Sequence, residues 1–207
     1  MLGSDEWFQY YFTKRAEQLN DREEAFSQAV DLLHSIYAVT QVKPMERCTV
    51  EVVHALQARG LKIIGLTSRD PTVAHLTVNH LSSIGIDMRV TSPSTATFPL
   101  IDMPKALLYH GIVFTCGKSK KNALSALFRQ LSWVPDRIIV IDDKKKHLSE
   151  MQEYEKEGIQ FLGLRFNGGD VYENALDPKV CDAQLKAFLE LVSDSVASDL
   201  VRNSAIK

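Results

Sequence analysis

The sequence is short of cysteine, of net charge and of long apolar runs. Its three cysteines, Cys48, Cys116 and Cys181, are odd in number and far apart. With no C-x-x-C pair among them, zinc-ribbon and thioredoxin-type sites are excluded, and they read as reduced structural thiols. A formal net charge of -2 supplies no field that would gather nucleic acid or anionic lipid. No stretch approaches the roughly 18 apolar residues of a membrane span. The opening "MLGSDEWFQYY" has neither the basic n-region nor the apolar h-region of a signal peptide. The expected location is therefore the cytoplasm, an exported one requiring a longer N-terminus with a leader. Internal repeats, low-complexity tracts and an obvious interdomain linker are also missing.

What is there is ordinary for a soluble globular chain: 207 residues, 45% hydrophobic and 24% charged, enough for one substantial core. From Ser4 to about Val39 the apolar spacing is helical, with Ser4 as a cap and Trp7, Tyr10, Tyr11 and Phe12 as a packing stripe. "TVEVVHALQARG" predicts another helix, with Thr49 as a cap and Gly60 past its end. The period then changes. "LKIIGLTS" is a nearly continuous apolar run, the pattern of a strand buried on both faces of a parallel sheet.

A helix follows from Asp70, with Pro71 at its first position and Gly85 closing it. The alternation continues through strand "YHGIVFTC", helix "KKNALSALFRQL", strand "RIIVID", helix "HLSEMQEYEKEG", strand "IQFLGLRF" and a last helix from about Lys179 to Val196. Strands alternating with helices predict a doubly wound, mostly parallel α/β fold. Residues 86–108, rich in Ser, Thr and Pro, read as a loop or small hairpin that interrupts it.

In open α/β sheets ligands sit beyond the carboxyl ends of the strands, so the polar residues that stop each apolar run are the candidates. "IIGLTSR" stops at Thr67 and Ser68, "IVFTCGKSKK" at a glycine turn with Lys118, Lys120 and Lys121, and "IIVIDD" at Asp142 and Asp143. A hydroxyl, an ammonium and a carboxylate pair at one rim are the parts of a phosphoryl-transfer site that uses Mg²⁺. Each also has a bland role: Thr67 begins a turn, a lysine is a solvated helix-end charge, and the aspartates cap the next helix. "GIVFTCGKS" is not a P-loop, because five residues separate Gly111 from Gly117 where the motif takes four. Those five are also strand formers. His54, His75 and His80 show no metal-set spacing and read as packing or surface residues.

The three strand ends, in this order, resemble the second, third and fourth motifs of the haloacid dehalogenase (HAD) superfamily of Mg²⁺-dependent phosphohydrolases. "LGSDEWF", "IIGLTSR" and "GIVFTCGKSKKNAL" are similar to a bacterial branch of that superfamily whose function is unknown. The resemblance implies that Thr67 binds a phosphoryl oxygen, that Lys120 neutralises the transferring group, with Lys118 and Lys121 as alternatives, and that Asp142 and Asp143 hold Mg²⁺. It implies a Rossmann-like sheet, a helical cap-like segment over 1–48 and an α/β core over 49–207.

The resemblance also has a gap, since the first HAD motif, D-x-D-x-[TV], carries the nucleophile and no D-x-D occurs in the sequence. The expectation is a phosphohydrolase of small phosphate monoesters that begins after its nucleophile strand and is inactive as this chain. The alternative is a non-catalytic binding or interaction protein on a degenerate scaffold. With the central strand missing, "LKIIGLT" and "RIIVID" are expected either to pair directly or to leave unpaired edges.

Overall fold

The computed structural model describes residues 4–170 and 176–191. They fall into two compact units, one of residues 1–40 with 170–207, the other of residues 41–169.

The first unit is built on a helical hairpin. Helix α1 (Asp5–Leu19) is capped by Ser4, whose hydroxyl accepts the Trp7 amide, and it ends at Asn20 in the left-handed region. Helix α2 (Arg22–Val39) starts at Asp21, whose carboxylate accepts the amides of Glu23 and Glu24. A C-terminal helix, α7 (Pro178–Leu191), packs on this hairpin: Trp7, Ile36, Cys181 and Phe188 form its buried centre. Lys14 donates to Asp182 at 2.7 Å and Tyr10 to the same carboxylate at 3.2 Å. Trp7 and Tyr11 stack with ring centroids 5.4 Å apart. The part of the expected last helix beyond residue 191 lies outside the described residues.

The second unit carries the strands. In chain order its elements are α3 (Thr49–Ala58), β1 (Gly65–Thr67), α4 (Ala74–Ser83), β2 (Phe98–Pro99), β3 (Leu107–Tyr109), β4 (Ile112–Phe114), α5 (Lys120–Gln130), β5 (Arg137–Asp142), α6 (Lys145–Met151) and β6 (Gln160–Arg165). The doubly wound, mostly parallel Rossmann-like sheet expected from the alternation is not what forms. There is a four-stranded sheet of order β1-β4-β3-β2, in which β1–β4 is parallel and the other pairs are antiparallel, and a separate parallel pair, β5–β6.

The physical reason lies in two residues read as strand interior. His110 and Gly111 both have positive φ, 49° and 75°, which makes them the two-residue turn of a tight β3–β4 hairpin. Glycine is required there, because a Cβ at Gly111 would meet the Met88 carbonyl oxygen at 2.4 Å. The run "LKIIGLTS" shortens to three strand residues, and Leu61 is exposed. β1 and β5 do not pair, and among the described residues no strand bonds to the second edge of either.

The main core lies between α5 and the strands. Ala123, Leu124, Ala126, Leu127 and Phe128 present one face of α5 to Leu108, Val113, Met151, Tyr154 and Ile159, with Ile138, Val140 and Phe161 of the second sheet packed against them. β5 alternates between half-buried and exposed positions, so among the described residues the second sheet is covered on one face only.

Candidate functional site

The loops after β1 and β4 are knitted together by backbone hydrogen bonds at the carboxyl ends of those parallel strands. The amides of Thr115, Cys116 and Gly117 donate to the carbonyls of Thr67, Arg69 and Ser68 at 2.9, 3.2 and 2.9 Å. Cys116 and Gly117 take positive φ to turn the chain, and α5 then starts at once, capped by Ser119, whose hydroxyl accepts the Asn122 amide and also contacts Glu150. This fixes Lys120 at the first position of α5.

From there Lys120 reaches across to the end of β5. Its Nζ donates to Asp142 Oδ2 at 2.6 Å, with the side chains 11% and 6% exposed respectively. The other oxygen, Oδ1, accepts the Lys144 amide at 2.8 Å and lies 3.1 Å from His147 Nδ1. Burial alone would push the Asp142 carboxyl upward. Hydrogen bonds from Lys120, the Lys144 amide and His147, together with the ammonium charge, outweigh burial and hold it below its ordinary value. The result is a buried ion pair with an imidazole beside it, joining α5, β5 and the start of α6.

The residues singled out in the sequence are thus divided. Lys120 and Asp142 meet directly. Asp143 is exposed. Thr67 ends β1, and its hydroxyl accepts the Arg69 amide at 3.2 Å, serving the turn. Among the described residues no hydrogen bond joins Thr67 to Lys120 or Asp142.

The other two lysines point elsewhere. Lys118 and Lys121 line a cleft of about 710 Å³ with Phe128, Trp133 and Tyr154. Lys121 donates to Glu157 at 2.6 Å, and its ammonium lies 5.2 Å from the centre of the Tyr154 ring. Burial pushes the Tyr154 phenol up to about 12, so it stays protonated and donates to the Lys121 carbonyl at 2.9 Å. Cys116 is not a thiolate: burial raises its thiol, which bonds to Asp70 at 3.1 Å.

His147 was missed in the sequence. It sits five residues beyond Asp142 on a polar helix start, where a lone histidine has no periodic signal, and only the turn between β5 and α6 brings it back.

As arranged, these residues do not fit Mg²⁺. A magnesium ion takes oxygen ligands in an octahedral shell. Here Oδ2 of the buried Asp142 carboxylate holds an ammonium, Oδ1 holds an amide, and Asp143 is exposed. Among the described residues no three or more His, Cys, Asp or Glu side chains gather as a metal set.

Comparison with known proteins settles the family. A model for the family described as "Protein of unknown function (DUF2608)" matches residues 1–198. The chain belongs to that family. It is also similar to the uncharacterized protein RP296 of Rickettsia prowazekii (strain Madrid E), at 22% identity over 158 residues, covering 72% of this chain. This chain spans 58% of the length of that relative. No solved structure matches.

The resemblance to the HAD superfamily is thereby corrected. A family of unknown function accounts for nearly the whole of this DUF2608 chain, nothing in the matches points to HAD, and the mixed sheet departs from the one the resemblance implied. The motifs behind it were single hydroxyl, lysine and aspartate residues at strand ends, a pattern short enough to recur without common descent.

Proposed function

We propose that this chain is a non-catalytic binding or interaction protein, in which the Lys120–Asp142 pair fastens α5 to β5 instead of acting on a substrate. One observation carries the reading: the cation and the buried carboxylate at the rim satisfy each other at 2.6 Å, leaving neither to hold a phosphate or a metal. Of the strand-end candidates, the Thr67 hydroxyl serves its turn and burial keeps the Cys116 thiol protonated, so neither is an activated nucleophile. A formal charge of -2 supports partners other than nucleic acid.

The experiment is a turnover assay with p-nitrophenyl phosphate and Mg²⁺, comparing the wild type with Asp142→Asn. The expected result is no turnover by the wild type beyond that of the variant.

A second reading is hydrolysis of a small phosphate monoester with Mg²⁺ on Asp142 and Asp143. It is favoured by the meeting of a lysine from the start of α5 and an aspartate at the carboxyl end of a parallel strand pair. It requires Lys120 to leave Oδ2 and an in-line nucleophile that the rim residues do not supply. Mg²⁺-dependent turnover by the wild type that Asp142→Asn abolishes would establish this second reading and overturn the first. Among the described residues no helix is long and apolar enough to cross a membrane.

A further inference from the structure

Among the described residues, the β5–β6 pair has one face on the core and one face bare. Ile138, Val140 and Phe161 pack inward. On the other side Ile139, Ile141, Leu162 and Leu164 are 57%, 66%, 48% and 44% exposed. The register places Ile139 opposite Leu162 and Ile141 opposite Leu164, so the four side chains form one contiguous block two strands wide. A lone exposed leucine needs no explanation, but an apolar block on a parallel pair does, because parallel sheets are ordinarily covered on both faces.

The charges at the two ends of the block point to what covers it. Arg137 precedes it on β5 and Asp143 follows it, both exposed. Six residues of strand set them roughly 20 Å apart. The Arg137 guanidinium spends one donor, Nε, on Gln160 at 2.9 Å. With Arg137 before the apolar block and Asp143 after it on the same strand line, the face matches itself after a half-turn. A two-fold axis through the block lays isoleucine and leucine on isoleucine and leucine, and brings Arg137 against Asp143 of the partner subunit at both ends.

We propose that the bare face of β5–β6 is the interface of a homodimer, formed by face-to-face packing of this sheet with a second copy of the chain. The inference rests on the interaction-protein reading above and names its partner. Four large side chains fall short of the roughly 800 Å² per subunit of a standard stable interface, so the dimer is weak, with a Kd of about micromolar or higher, and dissociates on dilution below it.

Sedimentation equilibrium of the full chain over a range of concentrations tests this directly. The expected result is a monomer–dimer equilibrium that Ile139→Asp abolishes, as does Leu162→Asn, with unchanged far-UV circular dichroism because both positions are exposed. Arg137→Glu weakens the dimer by at least tenfold, and Arg137→Glu combined with Asp143→Arg restores it. A wild-type protein that stays monomeric to about millimolar concentration overturns the proposal, as does a dimer that survives Ile139→Asp or a double charge exchange no tighter than the single one. A monomer that still lacks phosphatase activity sinks the dimer alone and leaves the interaction reading standing with a different partner.

Discussion

A buried ion pair is worth most when one half is taken away. Replacing Lys120 by Met leaves the Asp142 carboxylate without its cation in a nearly closed site, and the expected loss is about 3–5 kcal/mol in urea unfolding. Replacing both, as Lys120→Met with Asp142→Leu, recovers most of that loss, since two apolar side chains of similar size need no partners. The same pair sets an acid limit. Because the folded Asp142 carboxyl lies below its ordinary 3.8, the unfolded chain takes up the proton first as pH falls. The contribution is full above that value and is lost as pH drops through the folded one. Stability measured by urea at successive pH values should therefore fall more steeply below about pH 4 in the wild type than in Asp142→Asn. Both partners could be named from the sequence, because each ends or follows an apolar run. That Lys120 and not Lys118 or Lys121 turns inward was decided by the left-handed turn at Cys116 and Gly117, which no spacing of lysines encodes.

At the scale of elements, the local pattern was faithful where one period ran undisturbed. β5 covers Arg137–Asp142, the expected run, and α5 follows the glycine turn as its apolar spacing demands. It failed where two residues reversed the chain. "YHGIVFTC" reads as one strand because histidine is an uncommon first residue of a type I′ turn, whereas asparagine or aspartate before glycine would have signalled it. That one turn folds an antiparallel strand, β3, onto β4, which keeps its parallel pairing with β1, and so makes the sheet mixed. Gly111→Ala tests how much rests on it. The substitution forces a Cβ toward the Met88 carbonyl at a positive φ, and the expected effect is a loss of at least about 1–3 kcal/mol, read as a lowered midpoint in chemical unfolding. A variant of unchanged midpoint would mean that the hairpin turn opens without penalty.

At the scale of the whole molecule, the chain leaves its first unit at residue 40 and returns to it at residue 170. A return of this kind is invisible to local pattern, since Trp7 and Phe188 signal only that each helix has an apolar face, not that the faces belong together. Between α2 and α3, residues 41–48 form neither helix nor strand, and Arg47 is exposed. Trypsin should therefore cut after Arg47, while Lys43 is protected by the following Pro44. The two pieces should not part. Helix α7, on the C-terminal piece, is held to the α1–α2 hairpin by Trp7, Ile36, Cys181 and Phe188 and by the Lys14–Asp182 ion pair. Of these the apolar cluster dominates, because the ion pair is exposed and contributes about 1 kcal/mol at most. Nicked protein is accordingly expected to elute from gel filtration as one species at low and high salt alike, and to separate into its fragments only in denaturant. Separation at high salt alone would transfer the hold to the ion pair, and separation in plain buffer would show that α7 does not bind the hairpin.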